Sequence, residues 1–167
     1  FTDSSAGFGL VIHQENNPNN HMTIDSIREF RELTEIKIQS KGSGLFMIGG
    51  GVPKNTAQQT GPLLDQILKR NDGGQDYIIQ ITDARPDTGG LSGATLQEGK
   101  SWGKIHDSHE GIVTVYADTT IAFPILALYV LSNQQSREPK RLYKKIGELY
   151  NKLSKDYFKN PNNIKKE

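Results

Sequence analysis

The chain has 167 residues and no cysteine. That excludes a disulfide framework, a thiolate metal site and a cysteine nucleophile within it. No apolar run approaches the ~20 residues that a bilayer-spanning helix needs, so no membrane span is expected. Neither sign of charge dominates: 20 Lys and Arg face 19 Asp and Glu, for a net charge of +1. Net charge therefore gives no argument for nucleic acid or a membrane surface. The N-terminal Phe1-Thr2-Asp3-Ser4-Ser5 has no basic stretch followed by an apolar one, so it does not read as a signal peptide, and the cytosol is the expected compartment. Tryptophan occurs once, at Trp102.

What is present reads as strands alternating with helices, the pattern of an α/β fold with a parallel sheet. Gly9-Leu10-Val11-Ile12 reads as a short strand. Thr23 is placed to cap a helix from Ile24 to about Leu33, with Ile24, Ile27, Phe30 and Leu33 on its inner face. Gly44 to Ile48 is a buried strand running into Gly49-Gly50-Gly51. Thr56 to Arg70 is a helix with Leu64, Ile67 and Leu68 inward, and Gly61-Pro62 threatens its first turn. Tyr77 to Ile81 and Gly111 to Tyr116 are further strands. Thr95 opens a helix expected to carry Glu98, Trp102 and Lys104. Thr119 to Gln134 is apolar on all sides, which predicts a buried helix. Arg141 to Phe158 is amphipathic through Leu142, Ile146, Leu149 and Leu153, and residues 159–167 form a polar tail.

The chemistry concentrates around Ser101-Trp102-Gly103-Lys104-Ile105. An uncharged lysine amine is a nucleophile that forms imines, but a free lysine, with a pKa near 10.4, is almost wholly protonated at neutral pH. Burial beside an indole disfavours the charged form, and an indole also stacks on cations. Alternatively Lys104 is a solvated surface lysine. Glu98 lies four residues before Trp102, the spacing of one helical face, so a carboxylate and an indole could flank a polyamine; alternatively Glu98 is an exposed helix residue. Glycines 49–51 end a strand where open α/β sheets bind ligands, or they form only a tight turn. Asp3 and Asp118 stand at element ends, where a carboxylate accepts from ribose hydroxyls, but Asp118 also precedes Thr119-Thr120 as a helix cap would. His106 and His109 are three apart with no further ligand motif around them, so no metal site is expected.

Ile48-Gly49-Gly50-Gly51-Val52-Pro53-Lys54, Gly89-Gly90-Leu91-Ser92-Gly93-Ala94, Glu98 with Ser101-Trp102-Gly103-Lys104-Ile105, and Val115-Tyr116-Ala117-Asp118 follow one another in the order and spacing of deoxyhypusine synthase, which the chain resembles from about Thr2 to Leu131. The resemblance implies a Rossmann-like parallel sheet flanked by helices, with residues 1–158 as the C-terminal part of an NAD-binding domain. It implies NAD as cofactor and transfer of the aminobutyl group of spermidine, through an imine on Lys104, to a lysine of the translation initiation factor 5A precursor. It assigns Glu98, Trp102, Gly89, Gly90, Ser92 and Asn55 to the substrate, and Asp3, Gly50, Thr82, Asp83, Asp118 and Thr119 to the cofactor. Family members are about twice as long and tetrameric, so an N-terminal fragment of the same precursor and a tetramer-like assembly are expected partners. Three positions depart from the eukaryotic pattern: Asn55 replaces a histidine, Phe8 an aspartate, and Leu91 an aspartate. Gly-Gly-Leu-Ser-Gly is similar to the bacterial-type branch, which includes deoxyhypusine synthase-like proteins and homospermidine synthases, so putrescine is the alternative acceptor. A non-catalytic regulatory subunit is the alternative of another class.

Overall fold

The computed structural model describes residues 4–70, 74–106 and 111–155. Three parallel strands, β1 (Gly44–Ile48), β2 (Tyr77–Thr82) and β3 (Ile112–Tyr116), form a sheet in the order β1-β2-β3. Helices flank it: α1 (Ser5–Asn16), α2 (Ser26–Gln39), α3 (Val52–Gln58), the short α4 (Thr60–Pro62) and α5 (Gly90–Gly93), α6 (Leu96–Ser101), α7 (Thr119–Asn133) and α8 (Ile146–Leu153). This is an α/β, Rossmann-like architecture, as the alternating pattern predicted.

The sheet alternates as a pleated strand must, and its two faces differ. On one face Met47 and Ile78 pack with Leu96 of α6 and with Ile105, and Leu45 and Ile112 lie against them. A second cluster joins Ile38 of α2 to Leu64, with Leu68 beside it. Each such buried aliphatic side chain contributes about 1.5–3 kcal/mol. The other face carries Phe46, Ile48, Ile79, Val113 and Val115, each between 38% and 52% exposed. Helix α7 approaches it: the Phe46 and Phe123 rings lie 5.8 Å apart, and an apolar groove of about 440 Å³ runs between Phe46, Ile79 and α7.

Several expectations need correction. Gly9–Ile12 is not a strand; it lies inside α1, with Phe8, Val11 and Ile12 exposed. A helix closes its own hydrogen bonds, whereas a strand needs an edge to pair with, and the flanking residues extend the helix well beyond those four. The cap of α2 is Asp25, which accepts from the Arg28 N–H at 2.9 Å, rather than Thr23. Its buried residues are Thr34, Glu35, Lys37 and Ile38, while Ile24, Ile27 and Leu33 are exposed. The helix expected at 56–70 starts at Val52, with Pro53 in its first turn, and is broken after Gln58; beyond Pro62 it continues as a single π turn, Leu63–Ile67, which leaves Ile67 exposed and Leu64 buried. The long apolar helix exists as α7 but is not buried; Ile121, Ile125, Leu128, Tyr129 and Leu131 are all exposed. The C-terminal helix starts with a 3₁₀ turn, Leu142–Lys145, before α8; the rest of the helix expected to reach Phe158, and the 159–167 tail, lie outside the described residues.

Candidate active site

Parallel pairing carries all three strand ends to one edge of the sheet. The ladder continues past the strands: the Gly49 N–H donates to the Ile81 carbonyl at 2.7 Å and the Ala117 N–H to the Thr82 carbonyl at 3.1 Å. Gly49–Gly51, Asp83 and Asp118 therefore follow β1, β2 and β3 at the same edge. Gly49 and Gly51 have φ of 78° and 91°, values that a side chain disfavours. Gly50 is required for another reason. A Cβ there would lie 2.8 Å from Cα of Ser92, so the glycine loop and the Gly89–Ala94 segment touch backbone to backbone. Gly50→Ala must push the two apart; an overpacking cost of roughly 1–3 kcal/mol is expected, read as a lowered denaturation midpoint.

One buried pair of side chains ties these segments together. Gln80, in the middle of β2, donates through Nε2 to the carbonyls of Gly49 (2.9 Å) and Ser92 (3.1 Å). Its Oε1 accepts from Lys54 Nζ at 3.1 Å, and Lys54 Nζ also donates to the Ala94 carbonyl at 2.6 Å. Lys54 is only 5% exposed. Burial lowers its pKa; the charge of Glu98 opposes the shift and that of Lys104 adds to it. Two cationic groups and a carboxylate thus share one neighbourhood.

Lys104 is held by its backbone and by a hydrogen bond at its tip. Helix α6 ends at Ser101; Trp102 is its C-cap and Gly103 turns the chain with φ of 69°, so Trp102 and Lys104 do not share the helix with Glu98 as predicted. Glycine at 103 supplies the left-handed residue that stops a helix. The Lys104 N–H donates to the Gly99 carbonyl and its own carbonyl accepts from Gln75. Gly61 and Gly74 let the chain come this close, because a Cβ on Gly61 would meet the Gly103 carbonyl oxygen at 2.7 Å and one on Gly74 would meet Lys104 C at 2.6 Å. Buried Ile105 follows and anchors the segment in the core. The half-buried Lys104 side chain reaches across to α3, where its Nζ donates to Asn55 Oδ1 at 2.8 Å. The amine meets this carboxamide, whereas the Trp102 indole, 66% exposed, does not bury it as expected.

Glu98 is exposed and forms a capping box: the Thr95 N–H donates to its Oε2 at 3.1 Å, and its own N–H donates to Thr95 Oγ1. Asp118 caps α7, accepting from the Thr120 hydroxyl at 2.6 Å and the Thr120 N–H at 2.8 Å; these bonds hold its carboxyl below the usual range. Thr82 is buried, with its hydroxyl accepting from the Ala84 N–H, while Asp83 is exposed and Thr119 half-buried at the first turn of α7. Gly89 and Gly90 are exposed at φ of 71° and 78°. Asp3 and His109 lie outside the described residues, among which no group of three His, Asp or Glu could hold a metal.

The residues brought together are therefore Lys104, Asn55, Glu98, Lys54, Gln80 and the two glycine segments. Lys54 and Gln80 were missed by the sequence reading. Their signals were a lone amide inside the apolar run Tyr77–Ile81 and a lysine directly after Val52-Pro53.

The pattern of the family described as deoxyhypusine synthase matches residues 1–130, most of the chain. The chain belongs to the deoxyhypusine synthase family. Relatives named deoxyhypusine synthase-like protein include one from Coxiella burnetii, 54% identical over 127 residues (76% of this chain, 35% of that protein), and one from Chlorobaculum parvum, 49% identical over 129 residues (77% and 36%). Another, from Nostoc punctiforme, is 43% identical over 143 residues, covering 82% of this chain and 36% of its own length. The chain thus spans about a third of the length of the curated relatives it matches.

Proposed function

We propose that this chain carries the lysine half of an aminobutyl transferase of the deoxyhypusine synthase type, taking spermidine as donor and a lysine of the translation initiation factor 5A precursor as acceptor. The observation that supports this reading most is the placement of Lys104: a half-buried residue whose backbone is packed against Gly61 and Gly74 and whose amine donates to Asn55 Oδ1 at 2.8 Å. A positioned amine in the same neighbourhood as the Glu98 carboxylate suits imine exchange with a polyamine. Lys104 would attack the butylimine carbon, diaminopropane would leave, and the acceptor amine would then displace Lys104. Glu98 would pair with an ammonium of the donor while keeping its capping bond. Trp102, exposed at the helix end, would contact the methylene chain.

The sheet edge suits a dinucleotide. Gly49 and Gly51 hold positive φ that side chains disfavour, and Asp83, Asp118 and Thr119 stand at the neighbouring strand ends. These residues would hold NAD, with Thr82 supporting the turn into Asp83. NAD, when bound, would accept hydride from the donor amine and return it to the product imine. Parallel sheets are covered on both faces, so the apolar face around Phe46, Ile79 and Val113 would be closed by further polypeptide of the family's fold, in a tetramer-like assembly.

The test is an assay of the assembled protein with spermidine and NAD, offering either a lysine-bearing precursor protein or putrescine. Turnover with neither acceptor would overturn the proposal, and turnover with putrescine alone would redirect it to homospermidine formation. Within that assay Glu98→Gln is expected to weaken spermidine about tenfold or more, since a charge-assisted hydrogen bond contributes about 1.5–3 kcal/mol. Glutamine still closes a capping box, so stability should stay within about 0.5 kcal/mol. Unchanged spermidine affinity would make Glu98 a cap and nothing more.

A further inference from the structure

Balanced net charge hides a strong segregation. Residues 137–167 hold ten Lys and Arg against four Asp and Glu, while residues 1–136 hold ten against fifteen. The basic stretch lies past the family-matched residues 1–130. Its described part, through α8, packs against α2. The Arg31 guanidinium stacks 3.5 Å from the centre of the Tyr150 ring and donates to the Tyr150 carbonyl at 3.2 Å. Between the end of α2 and this segment lies a groove of about 470 Å³. Its apolar lining is Ile36, Leu142 and Leu149, and its rim carries Lys41, Lys140 and Lys145. The three lysines are exposed, and no carboxylate lies within ion-pair distance of them among the described residues.

We propose that this groove is a docking site for an acidic polypeptide segment that carries an aliphatic anchor. The rim supplies unpaired positive charge, which steers and orients an acidic partner. The lining supplies a desolvated apolar contact of the kind that anchors a peptide side chain. A nucleic-acid backbone would satisfy the lysines but offers nothing apolar to Ile36, Leu142 and Leu149, so a peptide fits the chemistry better. The site is separate from Lys104 and stands whether or not aminobutyl transfer is the reaction.

The experiment is fluorescence anisotropy with the full chain and a labelled peptide alternating glutamate and leucine. A glutamate–alanine peptide, oligouridylate and phosphatidylglycerol vesicles are the competitors. The glutamate–leucine peptide should bind at least about tenfold tighter than the glutamate–alanine one and should weaken as salt is raised. Lys140→Glu combined with Lys145→Glu should lower its affinity about tenfold or more, with the circular dichroism spectrum unchanged. Both positions are exposed, so the double variant is expected to fold; if it does not, the single Lys41→Glu variant reads out the opposite rim. Equal binding of the two peptides, tighter binding of oligouridylate or vesicles, or indifference to the lysine variants would each overturn the proposal.

Discussion

Lys104→Arg is expected to reduce aminobutyl transfer to less than about one-thousandth while leaving the fold and NAD affinity intact. Under the proposed reaction Lys104 acts covalently, and covalent roles show the largest losses on substitution. Arginine keeps the charge and most of the stem, so it still reaches the Asn55 carboxamide, which accepts from Lys104 at 2.8 Å. It stays protonated and cannot form the imine. The segment should not move, because its position is set by backbone bonds to Gly99 and Gln75 and by the glycine contacts of Gly61 and Gly74. Borohydride added during turnover should leave an aminobutyl adduct on Lys104 of the wild type, found by peptide mass spectrometry, and none on the variant. Wild-type turnover with no trapped adduct at Lys104 would refute the covalent role. An arginine variant that retains wild-type rates would refute it independently.

The sheet was legible from the sequence because its strands are short apolar runs closed by glycine, as Gly44–Ile48 and Tyr77–Thr82 are. Lys104 and Glu98 were legible because local motifs surround them. What was not legible depends on distant partners. Gly9–Ile12 has strand-like residues, but among the described residues no sheet edge pairs with them, and they lie in α1. Thr119–Asn133 looks like a core helix, yet among the described residues it meets the sheet through Phe123, and none of its residues is buried. Trp102 and Lys104 leave the helix because Gly103 takes a left-handed turn, a choice confirmed only by the packing of Gly61 against its carbonyl. Lys54 escaped notice because a lysine after Val-Pro reads as surface; it is buried only because Gln80 and the Ala94 carbonyl lie above α3. Net charge misled for a similar reason, since it averages an acidic body with a basic C-terminal segment.

Lys54 should also give the chain's stability a pH signature that Lys54→Met removes. Burial lowers the folded-state pKa of Lys54 from 10.5, with Lys104 adding to the shift and Glu98 opposing it. Between the folded value and 10.5 the unfolded chain therefore binds more protons at this residue than the folded chain does. Stability from Lys54 then rises with pH across that window and is lowest below the folded pKa, where the buried ammonium stays charged. Methionine fills similar space without titrating, so the difference in unfolding free energy between wild type and variant should shift toward wild type as pH rises through the alkaline range. The substitution has a second effect that does not depend on pH. It leaves Gln80 Oε1 and the Ala94 carbonyl without their donor, at a cost of about 1–3 kcal/mol for each acceptor left buried and unpaired. Loss of that brace frees the Ala94 end of the segment that Gly50 touches, so the Gly89–Ala94 loop should exchange its amide hydrogens faster in the variant. A Lys54→Arg chain separates the two effects, since it restores a donor and keeps the charge across the whole range. Urea titrations of the three proteins at several pH values provide the measurement. Parallel stability profiles for wild type and Lys54→Met would show that Lys54 titrates alike in the folded and unfolded chains, and that its burial does not govern its charge.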